Sequence, residues 1–373
     1  MIFLNTNCKN MEKEKDTFVW QSTVTAPEFY PVQVIRGAFY KGDEVVQSVP
    51  GGQRIIGSDW GYSIGDNNSG RGPLPDGLGI EWFSFAENKF YSGSFDLPYD
   101  TIKKLFNTQM IESVRKIPCR FDEISVGMAP GGMVVVWVRG DSHSVDIGRF
   151  QADEAPARDL NEFLPSTHVW YDWEDRAAAQ KDFADTFMGS LPQRIANFQK
   201  NGLSPGLYDS YRKKYNIRIT PNFADKVAIV DEVYIEYYSG EEDLLALEQL
   251  RDTFYSPKSP IQRLTMTWSF GRKMQYVRIT MDEVELFNIY KQMYEDDPSR
   301  EIELRVDVNE ENNFVRVWFS QPGQEYPREL ELVKSDIGIY PVSEGDRHWV
   351  TAFKDEYEDD YPYARKDGKK DGK

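Results

Sequence analysis

A chain of 373 residues, 40% hydrophobic and 28% charged, is long enough for one large domain or two and too apolar for wholesale disorder. Its 61 acidic residues against 44 basic ones leave a formal charge of -17. That argues against nucleic acid as the main partner, because phosphate repulsion would first have to be overcome. The chain has no apolar run of membrane-spanning length and only Cys8 and Cys119, so neither a spanning helix nor a disulfide scaffold is expected.

Residues 1–16 read as a flexible segment, in which a short apolar opening precedes Cys8 and a charged stretch. A lipoprotein leader would have a basic start, a longer apolar part and small residues before the acylated cysteine, and Thr6-Asn7 fits that poorly. Cys8 nevertheless stands where a tether would join the folded part at Phe18. Alternation around Val32, Val34 and Ile35 predicts a strand over 31–40. The glycine-rich stretch 50–77 reads as one long loop between strands, with Trp60, Tyr62 and Arg71 as its candidate binding side chains. Strands follow at 79–85 and 89–96, then a helix from Pro98 to about Ser113 with Ile102, Leu105, Phe106 and Met110 on one stripe. Strands at 121–128 and 133–139 flank Pro130-Gly-Gly132, a turn that calls for positive φ, and another strand covers 143–149.

The region 172–200 carries Phe183, Phe187, Leu191, Ile195 and Phe198 at three- or four-residue steps, a helical connector that Pro192 would kink. Beyond it come strands at 264–270 and 274–280, a helix from Met281 to about Tyr294 that stops before Pro298, and strands at 302–308, 313–319 and 327–333. From Asp355 the mixture of acids, bases, Gly and Tyr has no periodicity and reads as a disordered tail.

Several short stretches recur in the same order. Leu78-Gly-Ile-Glu-Trp-Phe-Ser84 matches Leu264-Thr-Met-Thr-Trp-Ser-Phe270, Leu105-Phe-Asn107 matches Leu286-Phe-Asn288, and Val134-Val-Val-Trp-Val138 matches Val315-Arg-Val-Trp-Phe319. His168-Val-Trp170 and His348-Trp349 continue the series, and Phe39-Tyr-Lys-Gly-Asp-Glu44 resembles Tyr237-Tyr-Ser-Gly-Glu-Glu242 near its start. The expected fold is therefore α+β: two related modules, each an antiparallel β-β-α-β-β-β sheet covered by its helix. The expected boundaries are 1–16 for the flexible segment, 17–170 for the first module, 171–215 for the connector, 216–354 for the second module and 355–373 for the tail.

Phe18-Val-Trp20, Pro27-Glu-Phe-Tyr-Pro-Val-Gln-Val34, Asp59-Trp-Gly61, Gly79-Ile-Glu-Trp-Phe-Ser84 and Glu87-Asn-Lys-Phe-Tyr-Ser-Gly-Ser-Phe-Asp-Leu-Pro98 together carry a resemblance. Over roughly residues 17–150 the chain resembles DUF2931, a family of bacterial proteins of unknown function often described as lipoproteins, with a degenerate second copy in the C-terminal half. The resemblance implies a periplasmic or outer-membrane-associated location if a leader has been lost, and otherwise a cytoplasmic one. It also implies lipidation at Cys8, and it brings no catalytic residues with it.

Chemistry-bearing motifs are sparse. His143, His168 and His348 have no metal-ligand spacing, and no His-x-x-x-His, Cys-x-x-Cys or Gly-x-Ser-x-Gly occurs, so catalytic residues stay unassigned and neither metal nor cofactor is expected. Asp307-Val-Asn-Glu-Glu-Asn-Asn313 imitates a calcium loop, but Asn312 replaces the required Gly and Trp318 the closing acid, so it reads as a polar hairpin turn. Acids cluster between Asp231 and Glu248, including Glu241, Glu242 and Asp243, and again along the helix over 281–297. Such a surface is either a solvated face or one that steers a basic protein. The expectation is a non-enzymatic binding protein of the type of an immunity protein against a basic secreted toxin, one that meets a membrane only through an N-terminal lipid. The alternative is an envelope hydrolase using paired carboxylates on a glycan.

Overall fold

The computed structural model describes residues 17–27, 30–51, 55–56, 60–62, 67–111, 118–158, 200, 202, 206–251, 254–270, 273–295, 297–322, 327–331 and 333–341. Cys8, His168, His348, the 355–373 tail and most of the 171–215 connector lie outside the described residues. The fold is mixed α+β, and its described residues divide into two compact units. The first draws on residues up to Met110, Pro118–Arg212 and Tyr238–Glu242; the second draws on Lys213–Tyr237 and residues from Asp243 onward, together with Ile111.

The first unit contains β1 (Phe18–Thr25), β2 (Val32–Lys41), β3 (Glu44–Ser48), β4 (Ile55–Ile56), β5 (Asn68–Gly72), β6 (Gly77–Ser84) and β7 (Lys89–Asp96). After helix α1 (Tyr99–Phe106) come β8 (Gln109–Ile111), β9 (Pro118–Arg120), β10 (Glu123–Ala129), β11 (Met133–Gly140), β12 (His143–Gln151), β13 (Asp153–Ala155) and the short helix α2 (Leu207–Tyr211). Within the unit one run of paired strands has the order β5-β1-β10-β11-β12, where β1 and β10 are parallel and the other pairs antiparallel. A second sheet has the order β13-β7-β6-β2-β3, all antiparallel, with β4 added beside β2.

Both sheets feed one core. Trp20, Ile124, Val126, Val134, Val136 and Val138 from the first meet Val34, Phe39, Leu78, Ile80 and Trp82 from the second. Ile102 and Phe106, four apart on α1, complete the same cluster, so sheet packs on sheet as well as on helix. The helix is shorter than its apolar stripe predicts. It stops at Asn107, where the Asn107 side chain donates to the Lys103 carbonyl and Thr108 Oγ1 to that of Lys104, so Met110 falls on β8. The stretch 50–77 is likewise not one loop, since β4 and β5 lie within it and Arg71 pairs with Val19 on the edge strand β5.

The second unit contains β14 (Tyr215–Phe223), β15 (Ile229–Tyr237), β16 (Glu242–Ala246), α3 (Leu247–Leu250), β17 (Ser256–Lys258), β18 (Ile261–Phe270) and β19 (Lys273–Met281). Helix α4 (Glu283–Tyr294), β20 (Ile302–Val308), β21 (Val315–Ser320), β22 (Arg328–Glu329) and β23 (Val333–Pro341) follow. One sheet has the order β17-β14-β20-β21-β22 with β14 parallel to β20, and within the unit β23-β19-β18-β15-β16 run side by side. Ile302, Leu304, Val306 and Val308 alternate into the interior along β20, as Val315, Val317 and Phe319 do on β21. Asp282 caps α4 by accepting from the Glu285 backbone N–H at 2.9 Å, and Leu286, Ile289, Tyr290, Met293 and Tyr294 are its buried side.

Two sequence expectations change here. The strand read at 327–333 divides between β22 and β23. Leu-Phe-Asn closes α1 at 105–107 but opens α4 at 286–288, so this one match does not occupy the same place on its helix.

Candidate functional site

Side chains alternate along β11, so while Val134, Val136 and Val138 point into the core, Val135, Trp137 and Arg139 share the opposite face. On neighbouring β10 the register sets Glu123 against Arg139, Ser125 against Trp137 and Gly127 against Val135. Gly127 is small by necessity: an added methyl would lie 2.5 Å from the Trp137 ring and 2.9 Å from that of Trp60. Into that space Trp60 sets its ring edge-to-face on Trp137 at 5.0 Å and against Tyr208 of α2 at 5.1 Å. The Trp137 indole N–H donates to the Ser239 carbonyl at 3.1 Å.

Arg139 is the centre of this face. Its guanidinium donates to the Gly61 carbonyl and to Glu242, lies 3.7 Å from Glu123 through Nε, and stands 5.4 Å over the Tyr62 ring. Glu242 is 3% exposed and Arg139 only 12%, so this is a buried Glu–Arg–Glu cluster rather than a surface pair. Gln21 steadies Glu123 with a 2.9 Å hydrogen bond. Burial pushes the Glu123 carboxyl above its ordinary value, against the opposing pull of Arg139 and with a smaller push from Asp122. The backbones close tightly around it. Gly61 has φ +88°, and a methyl there would fall 2.2 Å from the Gly240 Cα. Ser144 pairs with Glu242 and donates to the Gly240 carbonyl, fixing the segment from the other side.

The candidate residues from the sequence therefore separate. Trp60, Tyr62 and Glu242 converge on Trp137 and Arg139, whereas Arg71 is exposed on β5. Glu241 accepts from Ser239 Oγ at 2.9 Å, and Asp243 accepts from Tyr237 at 2.7 Å and Lys258 at 2.6 Å. His143 is half-buried on β12. Among the described residues no group of three or more His, Cys, Asp or Glu could hold a metal ion. Sequence reasoning missed Arg139 and Glu123, which sit inside strands. The available signal was an acid and a base bracketing an apolar hairpin in sequence, Glu123 and Arg139, which the pairing of the two strands sets opposite each other.

Residues 7–186 match the model of a family described as a protein of unknown function, DUF2931. The match takes in β1 to β13 and so includes Trp60, Tyr62, Glu123 and Arg139, while Glu241, Glu242 and Asp243 lie beyond it. The matched region thus supplies the arginine, and the acid that closes on it comes from a later segment. No curated protein and no solved structure matches the chain.

Proposed function

We propose that this chain is a non-enzymatic protein-binding molecule of the immunity type, made of two copies of one α+β module and directed at a basic protein. The carrying observation is that so acidic a chain leaves Val227, Ile229, Phe254 and Phe314 more than half exposed in its second unit. Apolar groups held in water beside carboxylates suit a partner that is both basic and apolar, since opposite charge accelerates encounter and buried apolar contact holds the complex.

The duplication has its own support. Among the described strands, β1 with β10 and β14 with β20 are the parallel pairs of their units, and each unit has a first strand whose other neighbour is antiparallel, β5 or β17. Trp82 and Trp268 both lie on the first strand of the hairpin that precedes a helix, and Trp137 and Trp318 on the second strand of a later hairpin, β10–β11 (reached after the β8–β9 pair) or β20–β21. Gly42 and Gly240, in the β2–β3 and β15–β16 turns, both have positive φ. A lipid on Cys8 would hold the molecule at the envelope; mass spectrometry of the native product should then find acylation there, and an unmodified Cys8 would remove the tether.

The deciding experiment for binding is co-purification with the product of an adjacent gene, followed by titration calorimetry. Saturable binding supports the reading; no binding to any neighbouring toxin refutes the immunity role.

A further inference from the structure

We infer that the end of the second unit formed by residues 224–229 and 309–314 is a docking surface for a protein segment that presents basic and apolar side chains together. This rests on the protein-binding reading above. Val227 is 67% exposed, Ile229 55% and Phe314 52%. Two connections bring them to one end: the Ala224 N–H donates to the Val308 carbonyl at 2.9 Å, and Asn312 Nδ2 donates to Asp225 Oδ2 at 2.8 Å.

The end is rigid for a structural reason. Asn312 is buried with φ +58°, and its Oδ1 accepts from the Trp268 indole N–H at 2.9 Å, which anchors the turn to the interior. Asn309 Oδ1 accepts from the Asn313 and Phe314 backbone N–H groups at 2.9 Å each, and the Asp225 side chain accepts from Val227 N at 3.0 Å. Asn309 and Asn312 of the run that imitates a calcium loop are thus tied up in hydrogen bonds, and the turn presents Glu310, Glu311 and Phe314 to solvent. The equivalent connection between β10 and β11 is only Pro130-Gly-Gly132, held down by Glu87 through the Gly131 N–H at 2.9 Å, and it carries no large apolar side chain. A six-residue turn that displays a phenylalanine is more than joining two strands requires, and ordering it in advance lowers the entropy lost on binding.

Charge selects the occupant. Glu310 and Glu311 are exposed beside Phe314, whereas Asp225 beside Val227 is half-buried and held by Asn312 and the Val227 N–H. Two cations stand nearby and are already engaged: Lys226 donates to the Phe223 carbonyl at 3.4 Å, and Arg316, 5.7 Å over the Phe314 ring, pairs with Glu329 at 3.5 Å, which leaves Glu310 and Glu311 as the acids open to a partner. An arginine or lysine next to a leucine or similar residue meets both features at once.

The test uses the full chain and three fluorescent synthetic peptides of equal length, alternating Arg/Leu, Arg/Ser and Glu/Leu, read by anisotropy at physiological ionic strength. The Arg/Leu peptide should bind, and the other two about tenfold or more weakly. The double variant Val227→Ser/Phe314→Ser should weaken the Arg/Leu peptide by about tenfold or more, the scale of a lost anchor, with its urea midpoint unchanged. Equal affinity for Arg/Ser and Arg/Leu, or an unweakened double variant, overturns the assignment. If the adjacent gene product still binds the double variant at full strength, the surface is wrong and the binding reading stands. If that product fails to bind the wild type while the tip still selects Arg/Leu, the immunity reading alone fails.

Discussion

Replacing Arg139 with Met tests the cluster at its centre. The substitution keeps most of the side-chain volume but strands Glu242, 3% exposed, and Glu123, 9% exposed, without their cation. It also leaves the Gly61 carbonyl without its donor. Breaking a buried pair from one side costs about 3–5 kcal/mol, because the remaining charge keeps its desolvation penalty and loses its compensation. Native-state hydrogen exchange of β10 and β11 should therefore speed up roughly a hundred- to several-thousand-fold, at about 1.4 kcal/mol per factor of ten. The triple variant Arg139→Met/Glu242→Leu/Glu123→Gln should recover most of that loss, since a buried ion cluster replaced as a whole by apolar or neutral groups is often close to neutral. A single substitution costing less than about 1 kcal/mol, the scale of an exposed pair, would refute the reasoning, as would a triple variant no more stable than the single.

Three further outcomes are expected. Burial raises the Glu123 carboxyl despite Arg139, so the native state holds this proton more tightly than the unfolded chain does. Its stabilising contribution is then complete below the ordinary carboxylate value of 4.5 and disappears as pH rises through the raised value. The stability of wild type relative to Glu123→Gln, from urea midpoints across pH, should fall over that window, and parallel curves would contradict it. Gly61→Ala forces a methyl to within 2.2 Å of Gly240 at φ +88° and should cost about 2–4 kcal/mol by urea titration; a cost below about 1 kcal/mol would mean the loop can move aside. Asn312→Ala removes the acceptor of the buried Trp268 N–H and the donor to Asp225, and should cost about 2–3 kcal/mol in the second unit, whereas an unchanged midpoint would show that the turn is not anchored there.

The strands with an apolar alternation were readable from the sequence because a half-buried sheet imposes a period of two. Ile302 to Val308 shows it directly, whereas Val134 to Val138 was readable as an unbroken apolar run, buried on both faces. β5 was not readable: Asn68-Ser-Gly-Arg-Gly72 has no apolar side chain, and the strand forms because β1 offers it an edge to pair with. The end of α1 was also hidden, since Met110 continues the helical stripe while Asn107 and Thr108 terminate it through side-chain bonds to the backbone. In the candidate site, the loop aromatics Trp60 and Tyr62 stood out by composition. Arg139 did not, because its partners come from residues 61, 62, 123 and 242, and no local pattern can bring together positions so far apart.

Net charge alone also misleads about where an acidic protein can meet a partner. Many of the carboxylates in its acidic stretches hold structural posts: Glu242 on Arg139, Asp243 on Tyr237 and Lys258, Glu236 on Arg263, Asp282 as a helix cap, and Asp297 on the Ser299 backbone. Glu303 is another: hydrogen bonds from Thr220 and Arg218, with the nearby charges, hold it below the usual carboxylate range although burial works the other way. A carboxylate already satisfied by a donor gives up a bond if it turns to a partner, so its contribution to binding is small. Steering by the overall field survives this, but recognition at contact range needs acids that can turn toward the partner without leaving a buried cation behind. Glu310 is exposed and Glu311 is exposed with only a turn asparagine on it, both beside a phenylalanine that is half in solvent, so the argument from charge and the argument from apolar exposure select the same end of the second unit.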